Sequence, residues 1–167
     1  MSADIHRSIL SFIEASGVEH ELMACDPELA DTAVFCERYG FPLDNSVNTI
    51  LIKAKTGGER FAVCVLLATT RLDVNRVVRK RIEARRVSFA SAEETRALTG
   101  MEIGGVTPIC LPEDLPLWVD ARIMERPYII LGGGNRSSKI KISPRIFEHV
   151  SCATIIDGLA KLPPTDG

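Results

Sequence analysis

Two glycine-rich segments have the composition expected where a backbone contacts a ligand. The first, Gly104-Gly105-Val106-Thr107-Pro108, follows a helix that we predict to end by Gly100. Its glycines can expose backbone N–H groups, the threonine adds a hydroxyl and the proline stiffens the exit. Donors of this kind can hold an ester carbonyl or the oxyanion formed from it. A tight connection between a helix and a strand is the alternative explanation.

The second segment, Gly132-Gly133-Gly134, follows a predicted strand, as glycines do in dinucleotide-binding sites. Two features exclude that kind of site. The third glycine of the GxGxxG pattern would fall at Ser137, and residues 139–142 alternate as a strand does instead of beginning a helix. A P-loop is excluded as well, because no Gly-Lys-Ser/Thr sequence follows. By itself the triple glycine favours a flexible hairpin turn.

Positive charge is concentrated in two short segments of an otherwise acidic chain. The formal net charge is −2, yet 11 of the 20 lysines and arginines lie in residues 71–86 and 136–145. A basic face can bind a polyanion, and a solvated helix face is an equally good explanation. The candidate contacts to a polyanion are Arg71, Arg79, Lys80, Arg136 and Lys139.

The cysteines and histidines indicate neither a metal site nor a catalytic thiol. The five cysteines have no CxxC spacing and the three histidines are scattered singly. We therefore expect free thiols, no metal and no cofactor. The longest apolar run, residues 61–68, is far shorter than the ~20 residues of a membrane-spanning helix. The N-terminus lacks the layout of a signal peptide. The sequence thus predicts a cytoplasmic protein without membrane contacts.

The order of predicted elements is that of a single mixed α/β domain. The length favours one domain over residues 1–160 with a flexible tail at 161–167. Apolar periodicity and turn residues predict strands at 18–23, 47–54, 60–68, 86–90, 117–120, 128–131, 138–142 and 153–156. Helices are predicted from Ile5 to Gly17, after Asp31, Asp73 and Ser91, and from Pro144. Hairpins without regular βαβ alternation favour a mixed sheet or a partly closed barrel flanked by helices.

Four blocks of the sequence, in this order and spacing, resemble the YbaK/ProX family of aminoacyl-tRNA editing domains. They are Val47–Leu51, Leu72–Arg76, Gly104–Pro108 and Tyr128–Ile142. The resemblance extends from the first helix to Ile156. It implies a small α/β domain that hydrolyses amino acids wrongly attached to tRNA, often tRNA for proline. Such domains are free-standing or inserted in prolyl-tRNA synthetase.

One position departs from the family pattern. Where the family has its main functional lysine, this chain has Asn48, which donates a hydrogen bond but carries no charge. Lys53 does not replace it, because an odd separation puts the two residues on opposite sides of a regular strand. We interpret Lys53 as a solvent-facing strand end. Arg76 stands where many members have lysine, and Asp73 is retained, with helix capping as its alternative role.

The resemblance implies the following site. Asn48 would orient the carbonyl or the water, and the region of Gly104 and Gly105 would supply amide donors; these three residues are the implied catalytic set. The implied substrate-binding residues are Thr49, Asp73, Arg76, Val106, Thr107, Pro108, Gly132, Gly133 and Gly134. The basic residues listed above would bind tRNA. An aminoacyl ester is already activated, so positioned water and oxyanion donors suffice without a strong nucleophile.

Three functions are consistent with the sequence. The first is a deacylase acting in trans, whose partners are the tRNA acceptor end, an aminoacyl ester and prolyl-tRNA synthetase. The second is a non-catalytic module that binds tRNA or an aminoacyl-nucleotide, which the missing lysine motivates. The third is a hydrolase for another small ester or thioester. The sequence favours the first and indicates no particular oligomeric state.

Overall fold

The structure, a computed structural model, describes residues 7–163. Within them the α-helices are α1 (Arg7–Ser16), α2 (Thr32–Tyr39), α3 (Arg79–Ile82) and α4 (Ala92–Thr99). The strands are β1 (His20–Ala24), β2 (Val47–Ala54), β3 (Arg60–Leu67), β4 (Arg71–Leu72), β5 (Val87–Phe89), β6 (Leu117–Asp120), β7 (Ile129–Gly132), β8 (Ser138–Ile142), β9 (Ala153–Ile156) and β10 (Ala160–Lys161). Ile5 of the predicted first helix and residues 164–167 of the predicted tail lie outside this range. None of the described helices is long and apolar enough to cross a bilayer.

The strands form mixed, open sheets. The largest has the order β5-β2-β3-β6-β9, in which β5, β2 and β3 are antiparallel and β3, β6 and β9 are parallel. A second sheet, β1-β8-β7, is antiparallel, and β4 pairs with β10. A single parallel bridge from Ser46 to Ile130 joins the two larger sheets. The predicted mixed α/β sheet is confirmed, and the alternative of a partly closed barrel is not formed by the described residues.

The central strands are apolar on both sides because the large sheet has a core on each face. Val63 and Val65 of β3 pack on the face that also contacts α1 and the second sheet. Ala62, Cys64 and Leu66 pack on the opposite face. A sheet covered on both faces needs a continuous apolar run instead of alternation. This explains the longest apolar run of the sequence.

Local capping signals set the ends of α4. The Ser91 hydroxyl accepts a hydrogen bond from the Glu94 backbone, and the Glu94 carboxylate accepts one from the Ser91 backbone. This confirms the predicted capping box. The helix ends at Gly100, whose φ of 73° is in the left-handed region that glycine adopts easily.

Two predicted helices form with a different hydrogen-bond pattern, and a third lacks its predicted cap. Asp73 caps a π-helical turn, Val74–Val78, that runs into the short α3. The helix predicted from Pro144 is a 3₁₀ segment, Pro144–His149. Asp31 precedes α2 as predicted, but its side chain makes no capping bond. The two-residue strands β4 and β10 were not predicted, because two residues are too few to show periodicity.

Asp120, at the end of β6, is a fully buried carboxylate. Its Oδ1 accepts a hydrogen bond of 3.4 Å from the Ala160 backbone, and its Oδ2 lies 3.7 Å from the Arg122 guanidinium. Burial outweighs these contacts and raises the pKa of the Asp120 carboxyl above its ordinary value.

This pKa shift predicts how Asp120→Asn changes stability with pH. An acid whose pKa is raised by folding stabilises the protein only at low pH and loses that contribution as pH rises through its folded-state pKa. The free energy of unfolding of the Asn variant should therefore improve relative to the native chain between pH 4 and pH 7. Chemical denaturation at both values measures this, with the exposed Asp114→Asn as the control. A difference between variant and native chain that is constant with pH would contradict the prediction.

Candidate active site

A cleft of about 240 Å³ lies where the two glycine-rich segments meet β2 and the start of α2. Its walls come from separate parts of the chain: Asp31, Thr32, Val47, Asn48, Thr49, Ile50, Ile103, Gly104, Val106, Gly132 and Lys139. The cleft brings together six of the residues proposed from the sequence. These are Asn48, Thr49, Gly104, Val106, Gly132 and Lys139. The convergence comes from the sheet order, because β2 and the β7–β8 hairpin belong to different sheets that meet at the bridge to Ile130.

Asn48 is half-buried in the wall that β2 provides. Its Oδ1 accepts a hydrogen bond of 2.6 Å from the hydroxyl of Thr32, the first residue of α2. The Asn48 side-chain nitrogen makes no hydrogen bond to any residue in the described range, so its two N–H donors are available to a ligand. Lys53, at the far end of β2, binds Glu94 at 2.6 Å and does not line the cleft.

The two glycine segments pack backbone against backbone. The Gly134 N–H donates to the Gly105 carbonyl at 2.7 Å. A Cβ at Gly105 would lie 2.1 Å from the Asn135 carbonyl oxygen, and one at Gly132 would lie 2.7 Å from the Val106 carbonyl oxygen. Neither distance is sterically possible, so glycine is needed here for the approach of one loop to the other.

Two of the four backbone N–H donors of the first loop are used within the protein. The Gly105 N–H donates to the Glu102 carbonyl at 2.8 Å, and the Thr107 N–H contacts the Met101 sulfur. The N–H groups of Gly104 and Val106 have no partner among residues 7–163, and both residues line the cleft. In the region of Gly105, to which the sequence analysis assigned the amide donors, the N–H groups without a partner in the described residues are therefore those of its two neighbours. Gly105 itself supports the loop.

Several residues of the implied site lie outside the cleft walls. Thr107 and Pro108 are buried beneath the loop, and the Thr107 hydroxyl has no hydrogen-bond partner among the described residues. Asp73 accepts a hydrogen bond of 3.2 Å from the Arg76 backbone, which is the capping role held open as its alternative. Arg76 is exposed on the same turn. The other three residues of the implied site that do not line the cleft are Gly105, Gly133 and Gly134.

Arg136 ties two walls of the cleft together. One guanidinium nitrogen lies 3.0 Å from Asp31 Oδ1 and donates to the Ile103 carbonyl at 2.7 Å, while Nε donates to the Pro27 carbonyl at 3.0 Å. The guanidinium also fills the space where a Cβ of Gly104 would be, at 2.0 Å. The sequence analysis placed Arg136 among the tRNA contacts, and the structure gives its charge internal partners.

Lys139 is buried on the same hairpin. Its ammonium donates to the Ala30 carbonyl at 2.6 Å and to the Gly104 carbonyl at 3.0 Å, and lies 5.4 Å from the Phe35 ring centre. Burial is the main cause that lowers the pKa of Lys139; the Cys25 thiol opposes this and Arg136 adds to it. Weaker raising effects come from Cys36 and Asp31. The alternation of β8 does not distinguish Lys139 from the more exposed Lys141, so the sequence could not reveal this burial.

Two of the other predicted tRNA contacts, Arg79 and Lys80, lie on a separate basic surface. Arg71 and Lys80 are exposed, and Arg79 lines two adjacent depressions. The further cations of these depressions are Lys55, Arg85 and Arg86. The Nε of Arg79 is buried without a hydrogen-bond partner in the described part of the chain.

The thiols and possible metal ligands are dispersed. All five cysteines are free, and burial raises the pKa of the core residue Cys64 to about 12. Across residues 7–163, no three His, Cys, Asp or Glu side chains are grouped so that they could hold a metal ion.

The packing of the glycine loops predicts that Gly105→Ala separates them. Its methyl group would collide with backbone that cannot turn aside, so we expect a loss of about 3 kcal/mol in the free energy of unfolding. Gly158→Ala is the control, because that glycine has open space and a φ of 80°, so that only about 1 kcal/mol of backbone strain is added. Chemical denaturation compares the two. Equal losses would show that the contact with Asn135 does not limit the loop.

The contacts of Arg136 predict a loosened cleft in Arg136→Ala. Loss of the hydrogen bonds to two carbonyls and of the hydrogen-bonded ion pair with Asp31 should cost about 1–3 kcal/mol and speed amide exchange at residues 102–106. Arg145→Ala is the matched control, since within the described residues the Arg145 side chain pairs only with Glu148, at an exposed contact of 4.0 Å. Hydrogen exchange that is unchanged at the loop would refute the clamping role of Arg136.

Comparison with known proteins agrees with this geometry. Three solved structures share the fold. One, a protein described only as hypothetical, is 23% identical with a TM-score of 0.79, and the match covers 93% of this chain and 100% of that one. A proposed trans-editing enzyme for prolyl-tRNA synthetase is 19% identical with a TM-score of 0.69, covering 88% and 95%. A computationally designed epitope scaffold is 18% identical with a TM-score of 0.74, covering 90% and 94%.

The sequence profile of one family spans most of the chain. It is that of the aminoacyl-tRNA editing domain, and it matches residues 26–148. The matched range contains every residue that lines the cleft. The chain therefore belongs to the aminoacyl-tRNA editing domain family.

Proposed function

We propose that this chain is an aminoacyl-tRNA deacylase that acts in trans and removes a small, wrongly attached amino acid. The observation that carries the proposal is one cleft lined by Asn48, Gly104 and Val106. Among residues 7–163, the side-chain amide nitrogen of Asn48 and the backbone N–H groups of Gly104 and Val106 have no hydrogen-bond partner. Its walls fall within the range matched by the editing-domain family. The proposal places the aminoacyl ester of the tRNA acceptor end in this cleft.

The polar groups of the cleft suit ester hydrolysis by water. A water molecule attacks the ester carbonyl, its oxygen bonds to carbon, and the ribose oxygen leaves with a proton that the water supplied. The Gly104 and Val106 amides stabilise the intermediate oxyanion, and the Asn48 amide orients the carbonyl. Thr32 fixes the direction of the Asn48 amide by binding its oxygen. No protein nucleophile is needed, because an ester is already activated.

The size of the cleft supports a small amino acid. At about 240 Å³ it lies below the ~300–1,000 Å³ of common ligand pockets. Val47 and Ile50 give part of the wall an apolar character. A short side chain with its ester group suits this space better than a large one. The tRNA for proline and cooperation with prolyl-tRNA synthetase are parts of the same proposal.

The basic surface around Arg79 is the proposed contact to tRNA phosphates. Arg71 and Lys80 are exposed and free to meet phosphate oxygens. Binding that depends on such contacts weakens as salt rises. Arg136 and Lys139 are not part of this surface, because both side chains bind carbonyls around the cleft.

A panel of misacylated tRNAs tests the proposal. The native chain should accelerate deacylation of at least one tRNA bearing a small amino acid. Asn48→Asp removes the amide donors and adds a negative charge, so kcat should fall by about 100-fold or more. In Thr32→Val, kcat should fall less, by about 10-fold, because the Asn48 amide remains but its orientation is no longer fixed. Thr154→Val, on the exposed edge strand β9, is the matched control and should retain full activity.

Each negative result has a definite meaning. If no tRNA in the panel is deacylated faster than in buffer, the deacylase proposal is refuted. Binding of tRNA without turnover would instead indicate the non-catalytic module. Turnover of small esters or thioesters without tRNA would indicate the third function.

A further inference from the structure

We propose that Lys139 is the cation that contacts the substrate in this cleft, binding the oxyanion that forms on the ester carbonyl through the one ammonium proton not bonded to protein. This inference rests on the deacylase function proposed above. Asn48 on β2 carries no charge, so the positive charge that contacts the substrate would come from Lys139 on β8. It also distinguishes Lys139 from Arg136, whose charge is paired with Asp31.

The hydrogen bonds of Lys139 leave one donor for a ligand. An ammonium has three N–H donors, and the carbonyls of Ala30 and Gly104 accept two of them. Lys139 lines the cleft although its side chain is almost completely buried. It is the only cation among the cleft-lining residues that the structure describes.

The charge of Lys139 has no counter-charge within reach. No carboxylate of residues 7–163 lies within ion-pair distance of its ammonium, and the nearby Asp31 carboxylate is directed to Arg136. A buried charge bonded only to neutral carbonyls is unfavourable compared with a paired one. Its lowered pKa is the expected consequence of that burial. An anion that enters the cleft would supply the missing partner.

The Lys139 ammonium is bonded to the loop that carries the proposed oxyanion donors. Lys139 binds the carbonyl of Gly104, and the backbone N–H groups of Gly104 and Val106 have no partner in the described part of the chain. The ammonium is therefore fixed beside the position where the amides can act. When water adds to the ester carbonyl, the carbonyl electron pair moves to oxygen, and Lys139 stabilises that charge without giving up its proton. The oxyanion electron pair then re-forms the carbonyl double bond as the bond to the ribose oxygen breaks, and the ribose oxygen leaves with its bonding pair and a proton from the attacking water.

Two substitutions separate the charge of Lys139 from its hydrogen bonds. Lys139→Gln keeps an amide that can donate to both carbonyls but removes the charge. Lys139→Met removes both. Adding Asn48→Lys to the Gln variant returns a positive charge to the cleft from the opposite wall. A lysine that served only to hold two carbonyls would not be replaced by a lysine at position 48.

The readout is the preference between two stable analogues of aminoacyl-adenosine. One is a neutral amide in which nitrogen replaces the ester oxygen. The other is an aminoethylphosphonate monoester of adenosine, which carries a negative charge where the oxyanion would form. The native chain should bind the phosphonate at least about 10-fold more tightly than the amide. Lys139→Gln should bind both equally, and Asn48→Lys/Lys139→Gln should recover the preference.

The deacylation rate should change among these variants in the same way as the preference for the phosphonate. We expect kcat to fall about 100-fold in Lys139→Gln and to recover in part in the double variant. Unchanged affinity of Lys139→Gln for the amide shows that the cleft is intact. If Lys139→Gln loses affinity for both analogues and the double variant restores neither, Lys139 is a structural clamp and the inference is overturned.

Failure of this inference differs from failure of the proposed function. A native chain that deacylates tRNA but binds the two analogues equally refutes the role of Lys139 alone. So does a phosphonate preference that persists in both Lys139 variants. A native chain that neither deacylates any tRNA nor binds either analogue refutes the deacylase proposal, and the inference falls with it.

Discussion

The close approach of the two glycine loops is the constraint on which the cleft depends. Gly105 lies against the Asn135 carbonyl at a distance that admits no side chain, and the Gly134 N–H donates to the Gly105 carbonyl. This contact brings the β7–β8 hairpin within reach of the first loop. Arg136 and Lys139 then bind carbonyls at residues 27–31 and 103–104. One backbone contact thus positions three of the segments that line the cleft.

The main structural role of the glycines at this site is to let the two loops pack closely. Their pattern suggests backbone exposed to a ligand. The N–H groups of Gly105 and Gly134, however, donate to the carbonyls of Glu102 and Gly105 within the protein. The donors left for a ligand belong to Gly104 and Val106, on either side of the residue that makes the loop contact. A backbone held in this way is preorganised, because its donors do not have to reorient when charge develops nearby.

The cleft combines a neutral polar wall with a buried cation opposite. On β2, Asn48 presents an amide whose orientation Thr32 fixes. On β8, Lys139 holds its charge away from bulk water and without a carboxylate partner among the described residues. Electrostatic effects are larger in such an enclosed space than on the surface. Hydrolysis of an already activated ester requires little more than such positioned donors and a fixed positive charge.

Sequence patterns predicted much of this fold and about half of the cleft. Residues 47–54 and 138–142 form strands with the predicted bounds, and the capping box at Ser91 is present, because these signals depend on neighbours in the chain. Asn48 and Gly104 both line the cleft. The resemblance to a family, and not a local sequence pattern, had placed these two residues in one site. Thr32 was missed, because nothing in its own surroundings marks it as the partner of a strand residue 16 positions away.

The sequence by itself determined the elements, the apolar strands of a sheet buried on both faces and the glycines that permit close loops. Only the tertiary structure decided which cations are exposed. Arg79, Arg136 and Lys139 all lie in the two basic segments of the sequence, but the first lines a surface depression while the other two are bonded around the cleft. Burial and charge pairing depend on contacts between residues more than 30 positions apart, and a local pattern carries no information about which distant carbonyl a side chain will meet.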